Sequence, residues 1–305
     1  MVVDDYPSWP RILRQVTRPL CLFIVVSVIV TIVEKHSHPF KPIPIPDITL
    51  SLLGAVLGIL LAFRTNSAYA RWWEARQLWG RLVNSSRSLA RQAITFSHSL
   101  EEPLGLEARR FAKNLIVNQI AYVHALRCVL RNQEPWAEIE ATLGKEEAEA
   151  LRKQKNVPAA ILLRMGFYVT EAAGNGLITE WRLQRLDATL SELTDIQGGC
   201  ERIKNTPLPR QYDYYPELFV KVYCLLVPTV LVQELGWLTP VATVLVSFVL
   251  LVLNRIGKNL EDPFNNEVYD TPMSALSRTI EINLLQTLDE EPLPPAMRPV
   301  NGVLW

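Results

Sequence analysis

The sequence predicts an all-α membrane protein, with four transmembrane helices joined to a large helical layer in water. Three observations carry this. Uncharged apolar runs occupy 19–33, 48–63 and 235–254, and a weaker one lies over 218–235. Residues 64–215 return to charged, helix-forming sequence with apolar stripes at three- and four-residue spacing. Basic residues gather on one side of the apolar runs. The expected organisation is a single domain over 1–290, with transmembrane helices about 19–34, 47–63, 217–235 and 237–254. The water-exposed helical region covers 64–215 and 255–290, and 291–305 reads as a loose tail.

The balance of 31 Lys plus Arg against 31 Asp plus Glu gives no electrostatic footprint for nucleic acid. Cys21, Cys128, Cys200 and Cys224 lie far apart without metal-ligand spacing, so they read as buried small hydrophobes. No Gly-rich phosphate loop, Ser/His/Asp pattern or H-E-x-x-H is present, which argues against an enzyme.

In chain order, residues 1–18 are polar and contain Arg11, Arg14 and Arg18. The uncharged run 19–33 covers roughly 22 Å of helix, short for a ~30 Å hydrocarbon core, but flanking side chains snorkel. A signal peptide is the competing reading. Asp4 and Asp5 dilute its basic region, and EKHSHPF is not a small-residue cleavage site. HSHPFKPIPIP (36–46) forms a proline-rich turn, and His36 and His38 lack a third partner for a metal.

Asp47 opens the second helix, where Asp after Pro46 and before an apolar run is a preferred N-cap. Asp47, Ser51, Ala55, Ile59 and Phe63 recur at steps of four, along one slowly rotating face. Gly54 and Gly58 form a small-xxx-small pair that permits close helix approach. If several copies surrounded an axis, Ile59 and Phe63 would stack as hydrophobic rings, and such a constriction gates by dewetting. A lipid-facing or packed helix reads the same pattern without an axis. The helix continues unbroken through RTNSAYARWWEARQLWG into water. Arg64 either favours anions beside Phe63 or pairs with Glu74 or lipid phosphate. Trp72, Trp73 and Trp79 read as core or subunit contacts.

Residues 106–130 place Phe111, Leu115, Ile120, Val123 and Leu126 near one stripe. Residues 181–196 space Leu183, Leu186, Leu190 and Leu193 as a helix-packing seam. Gly198–Gly199 are expected to end that helix, with extended chain following at Pro207 and Pro209. Lys221 within 218–235 is expensive at mid-bilayer, so it sits at the cytoplasmic end or faces protein or water. GWLTP permits only a tight hairpin into the last span. Beyond it LEDPFNNEVYD reads as a polar loop, and Thr271–Pro272 open a final helix. Arg11, Arg14, Arg18, the arginines after Phe63, Lys204, Arg210, Arg255 and Lys258 share one side, while the hairpin tips hold only Lys35 and Lys41. Both termini and the helical layer are therefore expected in the cytoplasm, with the chain multi-pass in the plasma (inner) membrane.

FRTNSAYARWWEARQLWG, GGCERIKNTPLP and LEDPFNNEVYDTPMSALSRTIEINLL together closely resemble the prokaryotic branch of the bestrophin family, over nearly all of 15–290. The resemblance implies a homopentameric, passive ion channel whose second transmembrane helix lines the pore. Its partners would be copies of itself, permeant ions and the bilayer. It carries the hydrophobic neck onto Ala55, Ile59 and Phe63, and a second, cytosolic aperture onto Leu208. Ala55 stands where family members commonly have a bulkier aliphatic side chain. Animal bestrophins have a calcium clasp after the last span. Here Asn259, Asp262, Glu267 and Asp270 are the available oxygen donors, but Asn265 and Asn266 break the acidic run, and a helix-capping loop is the competing reading. No other cofactor is implied. The family points to chloride and other anions, whereas an outer ring of Asp47, with Ser51 behind it, would attract monovalent cations. A membrane-anchored scaffold or sensor, binding a protein without ion flux, is the alternative.

Overall fold

The computed structural model describes residues 1–3, 9–36, 47–97 and 105–305. The proline-rich turn expected over 36–46, including His38 and Lys41, lies outside these apart from His36. Among the described residues the chain is all-helical: α1 (Trp9–His36), α2 (Asp47–Phe96), α3 (Leu106–Leu130), α4 (Trp136–Leu143), α5 (Lys145–Leu151), α6 (Val157–Gly174), α7 (Glu180–Asn205), α8 (Arg210–Leu235), α9 (Thr239–Glu261) and α10 (Met273–Thr287). Three helical stretches are long and apolar enough to cross a membrane: Pro10–His36, Ile48–Phe96 and Arg210–Glu261. The third holds α8 and α9, which turn through a 3-10 segment at Gly236–Leu238 and pack on each other. The sequence counts that stretch as two spans.

The residues divide into two compact units. The apolar unit comprises Asp4–Trp72 and Pro207–Asp262; the polar unit comprises Met1–Val3, Trp73–Thr206 and Pro263–Trp305.

In the apolar unit α1 starts ten residues before the expected position 19, because the arginines mark the limit of apolar sequence and not of helix. α1 packs on α9, and the hydroxyl residues Ser27 and Thr31 on α1 and Thr239, Thr243 and Ser247 on α9 are all fully buried. Ser27 Oγ donates to Thr243 Oγ1 at 3.3 Å, and Thr31 Oγ1 donates to the Ser27 carbonyl at 2.8 Å. Large apolar side chains such as Leu22, Val25, Ile29, Leu245 and Val249 face outward. Small polar groups inside and bulky aliphatics outside suit a lipid solvent, where close packing and internal hydrogen bonds hold helices together. On α2, Leu50, Leu57, Leu61, Arg64 and Ala68 are buried. A Cβ on Gly54 would lie 2.7 Å from Tyr223 Oη, whereas one on Gly58 would meet nothing within 4 Å. Of the two glycines, Gly54 is the one that close approach to α8 requires.

The polar unit is built around α3. Where the sequence suggests one apolar stripe, α3 is buried on nearly all sides, including Asn118, Gln119, Tyr122 and His124. It packs on α4, α6, α7 and α10. Gln119 donates to Ser86 Oγ (2.8 Å) and Tyr122 Oη to the Leu193 carbonyl (2.9 Å), while Asn118 Oδ1, Gln119 Oε1 and His124 Nδ1 are buried without a hydrogen bond among the described residues. Trp79 is core, while Trp73 keeps 45% of its surface exposed.

Three local expectations are corrected. Gly198–Gly199 do not end α7, which runs on to Asn205 and stops before Pro207. Gly199 is a packing position, since a Cβ there would meet both Leu78 methyls at 3.0 Å; Gly198 has open space. Gly198→Ala is therefore expected to stabilise by about 0.5–1 kcal/mol, and Gly199→Leu to cost about 2 kcal/mol through overpacking, both read by thermal unfolding in detergent. At α10, Pro272 occupies the cap position instead of the first helical turn, and Thr271 makes no side-chain cap. Residues 291–305 are not simply loose. Val303 is buried and bridges both Val2 and Val300. The Met1 amine donates to the Leu304 carbonyl (2.7 Å), Val3 N–H to Gly302 (2.9 Å), and Ala275 N–H to Trp305 (2.7 Å).

Candidate functional site

Of the row read from spacing, Ser51, Ala55, Ile59 and Phe63 lie on a face of α2 that is exposed among the described residues. Burial of Leu57 and Leu61 turns Ile59 outward, since two residues along an α-helix is a rotation of about 200°. Ser51 and Ala55 are exposed, and Ile59 and Phe63 keep 56 % and 64 % of their surface. Leu52 and Val56 are exposed beside them, so the bare face is broader than the row. α2 begins at Asp47, whose side chain lies outside the described set.

Arg64 directly follows Phe63 but points the other way. It is only 2 % exposed. It donates to the Asp213 carboxylate and to the Asn254 side chain, and at 3.3 Å to the Asn254 carbonyl. Glu261 stands 3.9 Å away. The sequence reading of Arg64 as an anion attractor, or as a partner of Glu74 or lipid, is therefore replaced: Glu74 pairs with Arg202, and Arg64 ties α2 to α8 and α9. Lys258 extends this network to Asp213 (3.9 Å) and Glu217 (3.4 Å). Lys221 pairs with Glu217 at 2.7 Å, which gives its charge the protein partner that a lysine in an apolar helix needs. The partners of Arg64 come from 149 and 190 residues further along the chain, so no local spacing announces them.

Leu208 sits half-buried in the non-helical link between α7 and α8, flanked by Pro207 and Pro209. At the start of α8, Tyr212, Tyr214, Tyr215 and Phe219 are exposed, with Tyr215 stacked on Phe219 at 6.1 Å. Trp237 is exposed at the opposite end of the hairpin. From Tyr215 to Leu235 the helix rises roughly 30 Å, the thickness of a hydrocarbon core, so these aromatics lie where interfacial belts form.

The four oxygen donors considered for calcium are divided between the units: Asn259 and Asp262 in one, Glu267 and Asp270 in the other. Asn259 donates to Gln15 (3.3 Å), and Asp262 caps α9. Asp270 accepts the Glu267 N–H (2.9 Å), closing its own loop. Among the described residues no group of three or more His, Cys, Asp or Glu is arranged to hold a metal.

Burial pushes the Asp270 carboxyl up to about 6, against the opposing pull of backbone donors. A carboxyl raised on folding binds protons more tightly folded than unfolded. Its contribution is therefore fully present below the ordinary value and is lost as pH rises through about 6. Asp270→Asn is expected to flatten the pH dependence of thermal stability between pH 4 and pH 7, a span of about 2 kcal/mol in the parent. An unchanged slope would place the titration elsewhere.

The family model described as Bacterial/Fungal Bestrophin protein matches residues 9–286. The chain is 33% identical over 289 residues to a protein of Ralstonia nicotianae named as a voltage-dependent anion channel-forming protein, covering 92% of both chains. It is 38% identical over 250 residues to the Escherichia coli protein YneE, which carries the same description, covering 82% of this chain and 79% of that one. Among solved structures, a bacterial bestrophin homologue from Klebsiella pneumoniae superposes with a TM-score of 0.84 at 29% identity, covering 91% of this chain and 100% of that one.

Proposed function

Because the chain belongs to the bacterial and fungal bestrophin family, we propose that it is an anion channel formed by five copies around an axis lined by α2. The observation that carries this reading is the exposed face of α2, where Ser51, Ala55, Ile59 and Phe63 keep much of their surface uncovered among the described residues. Brought together around an axis, Ile59 and Phe63 form two apolar rings, with the smaller Ala55 beyond them. Ions pass such a neck when it is wetted and stop when it dries. Leu208 narrows the path a second time on the cytosolic side. Arg64 keeps α2 in place relative to α8 and α9, and its buried, paired charge is not offered to the ion.

Anion preference is supported by the names of the Ralstonia and Escherichia relatives. The proposed setting is the plasma (inner) membrane, with both termini and the polar unit in the cytoplasm. That orientation keeps Arg11, Arg14, Arg18, Arg255 and Lys258 on the side that positive charge favours.

Purified protein in a planar bilayer under asymmetric KCl tests the reading. A reversal potential near the chloride equilibrium value is expected; one near that of potassium would overturn anion preference. Asp47→Asn is expected to move the reversal potential further toward chloride by removing an acidic ring at the outer mouth. An unchanged value would leave Asp47 with helix capping alone.

A further inference from the structure

We propose that a cleft between α1, α8 and α9, at the basic end of the apolar unit, is a binding site for the phosphate of an anionic phospholipid. The cleft has a volume of about 100 Å³, that of about three water molecules and enough for a phosphate group. Its rim carries Lys221, Arg255 and Lys258 against a single carboxylate, Glu217. Val16, Val220 and Leu251 make an apolar floor.

The charges on the rim are not equally committed. Lys221 and Lys258 share Glu217, and the nearby Asp213 is already engaged by Arg64. Arg255 uses only its Nε, donating to Gln15 Oε1 at 3.3 Å. Gln15 is neutral, so Arg255 has no carboxylate partner among the described residues. Its two terminal nitrogens remain as a fork suited to a phosphate. On α1, Arg14 and Arg18 are exposed and likewise form no ion pair among the described residues. They fall within about 40° of one another around the helix, on the side next to Gln15.

The surroundings select a lipid over a free anion. Leu13 on α1, Leu218 and Phe219 on α8, and Leu253 and Ile256 on α9 are exposed apolar side chains on the same helices, close in sequence to the rim. Acyl chains would cover such a surface while the headgroup sits in the cleft. Basic pockets between transmembrane helices at the positively charged side recognise anionic headgroups in this way. The inference rests on the chain being a membrane protein, but not on its conducting ions.

Native mass spectrometry of the detergent-solubilised protein tests it, with phosphatidylglycerol, phosphatidylcholine, glycerol phosphate and inorganic phosphate titrated in turn. Phosphatidylglycerol is expected to bind at least tenfold tighter than phosphatidylcholine, and the two chain-less phosphates to bind weakly. Arg255→Gln and Lys258→Gln are each expected to lower phosphatidylglycerol affinity about fivefold, while Arg255→Lys keeps most of it. Circular dichroism confirms that each variant is folded, and the comparison of lipids on the parent protein stands without any variant. Equal affinity for the two lipids, undiminished phosphatidylglycerol binding in Arg255→Gln, or inorganic phosphate binding as tightly as lipid would overturn the proposal. Channel current is recorded separately, so a silent channel that still prefers phosphatidylglycerol speaks against conduction and not against the lipid site.

Discussion

Replacing Ile59 and Phe63 together with alanine is expected to raise single-channel conductance severalfold in planar bilayers. Both side chains are large, apolar and exposed on one face of α2 among the described residues. In a ring of copies they set the width and the wettability of the path, and alanine both widens it and lowers the cost of keeping water in it. The single changes are expected to have smaller effects, because each leaves one ring. Leu245→Ala provides the control: Leu245 is similarly exposed on α9, on a surface expected to meet lipid, and should leave conductance unchanged. If the double variant conducts like the parent, the neck is formed by other residues.

Arg64→Ala is expected to cost about 3 kcal/mol of stability, at the low end for breaking a buried pair. Arg64 is 2 % exposed and removing it strands Asp213 and the Asn254 side chain, but the Asp213 side chain keeps 34% of its surface in reach of water and is partly compensated. The readout is thermal unfolding of the purified protein in detergent, and a double-mutant cycle with Asp213→Asn isolates the pair. A loss no larger than that of an exposed surface arginine would mean that the pair does not hold α2 to α8. Conductance separates this role from that of the neck, since Arg64→Ala should reduce the amount of folded protein rather than enlarge the current through each channel.

The long-range frame was legible because lipid and water select composition over many consecutive residues. The apolar runs, the continuous helix read from Asp47 to Gly80, which the structure carries on to Phe96, and the leucine seam of α7 all rest on such windows. What stayed hidden depends on partners distant in sequence. Gly198–Gly199 resemble a helix stop because glycine is a poor helix former, yet Leu78 packs where a Gly199 side chain would stand and the helix continues. Arg64 could be seen to follow the apolar run, but only the fold turns it inward to Asp213 and Asn254. The α1–α9 seam also escaped notice, since isolated Ser and Thr in an apolar run lower its hydropathy without revealing that they face one another. For the row from Ser51 to Phe63, spacing gave a helix face, and those side chains are exposed among the described residues.

The pairing of Met1–Val3 with 302–304 has a consequence for how the molecule is made. Met1 and Leu304 are 303 positions apart, and a contact of such separation carries a large loop-closure cost until the helices between have folded, so Met1–Val3 are among the last residues to find their place. Until that pairing forms, Met1–Val3 stay open to any peptidase nearby, and sensitivity at that point would distinguish partly folded molecules from those in which the two segments have met.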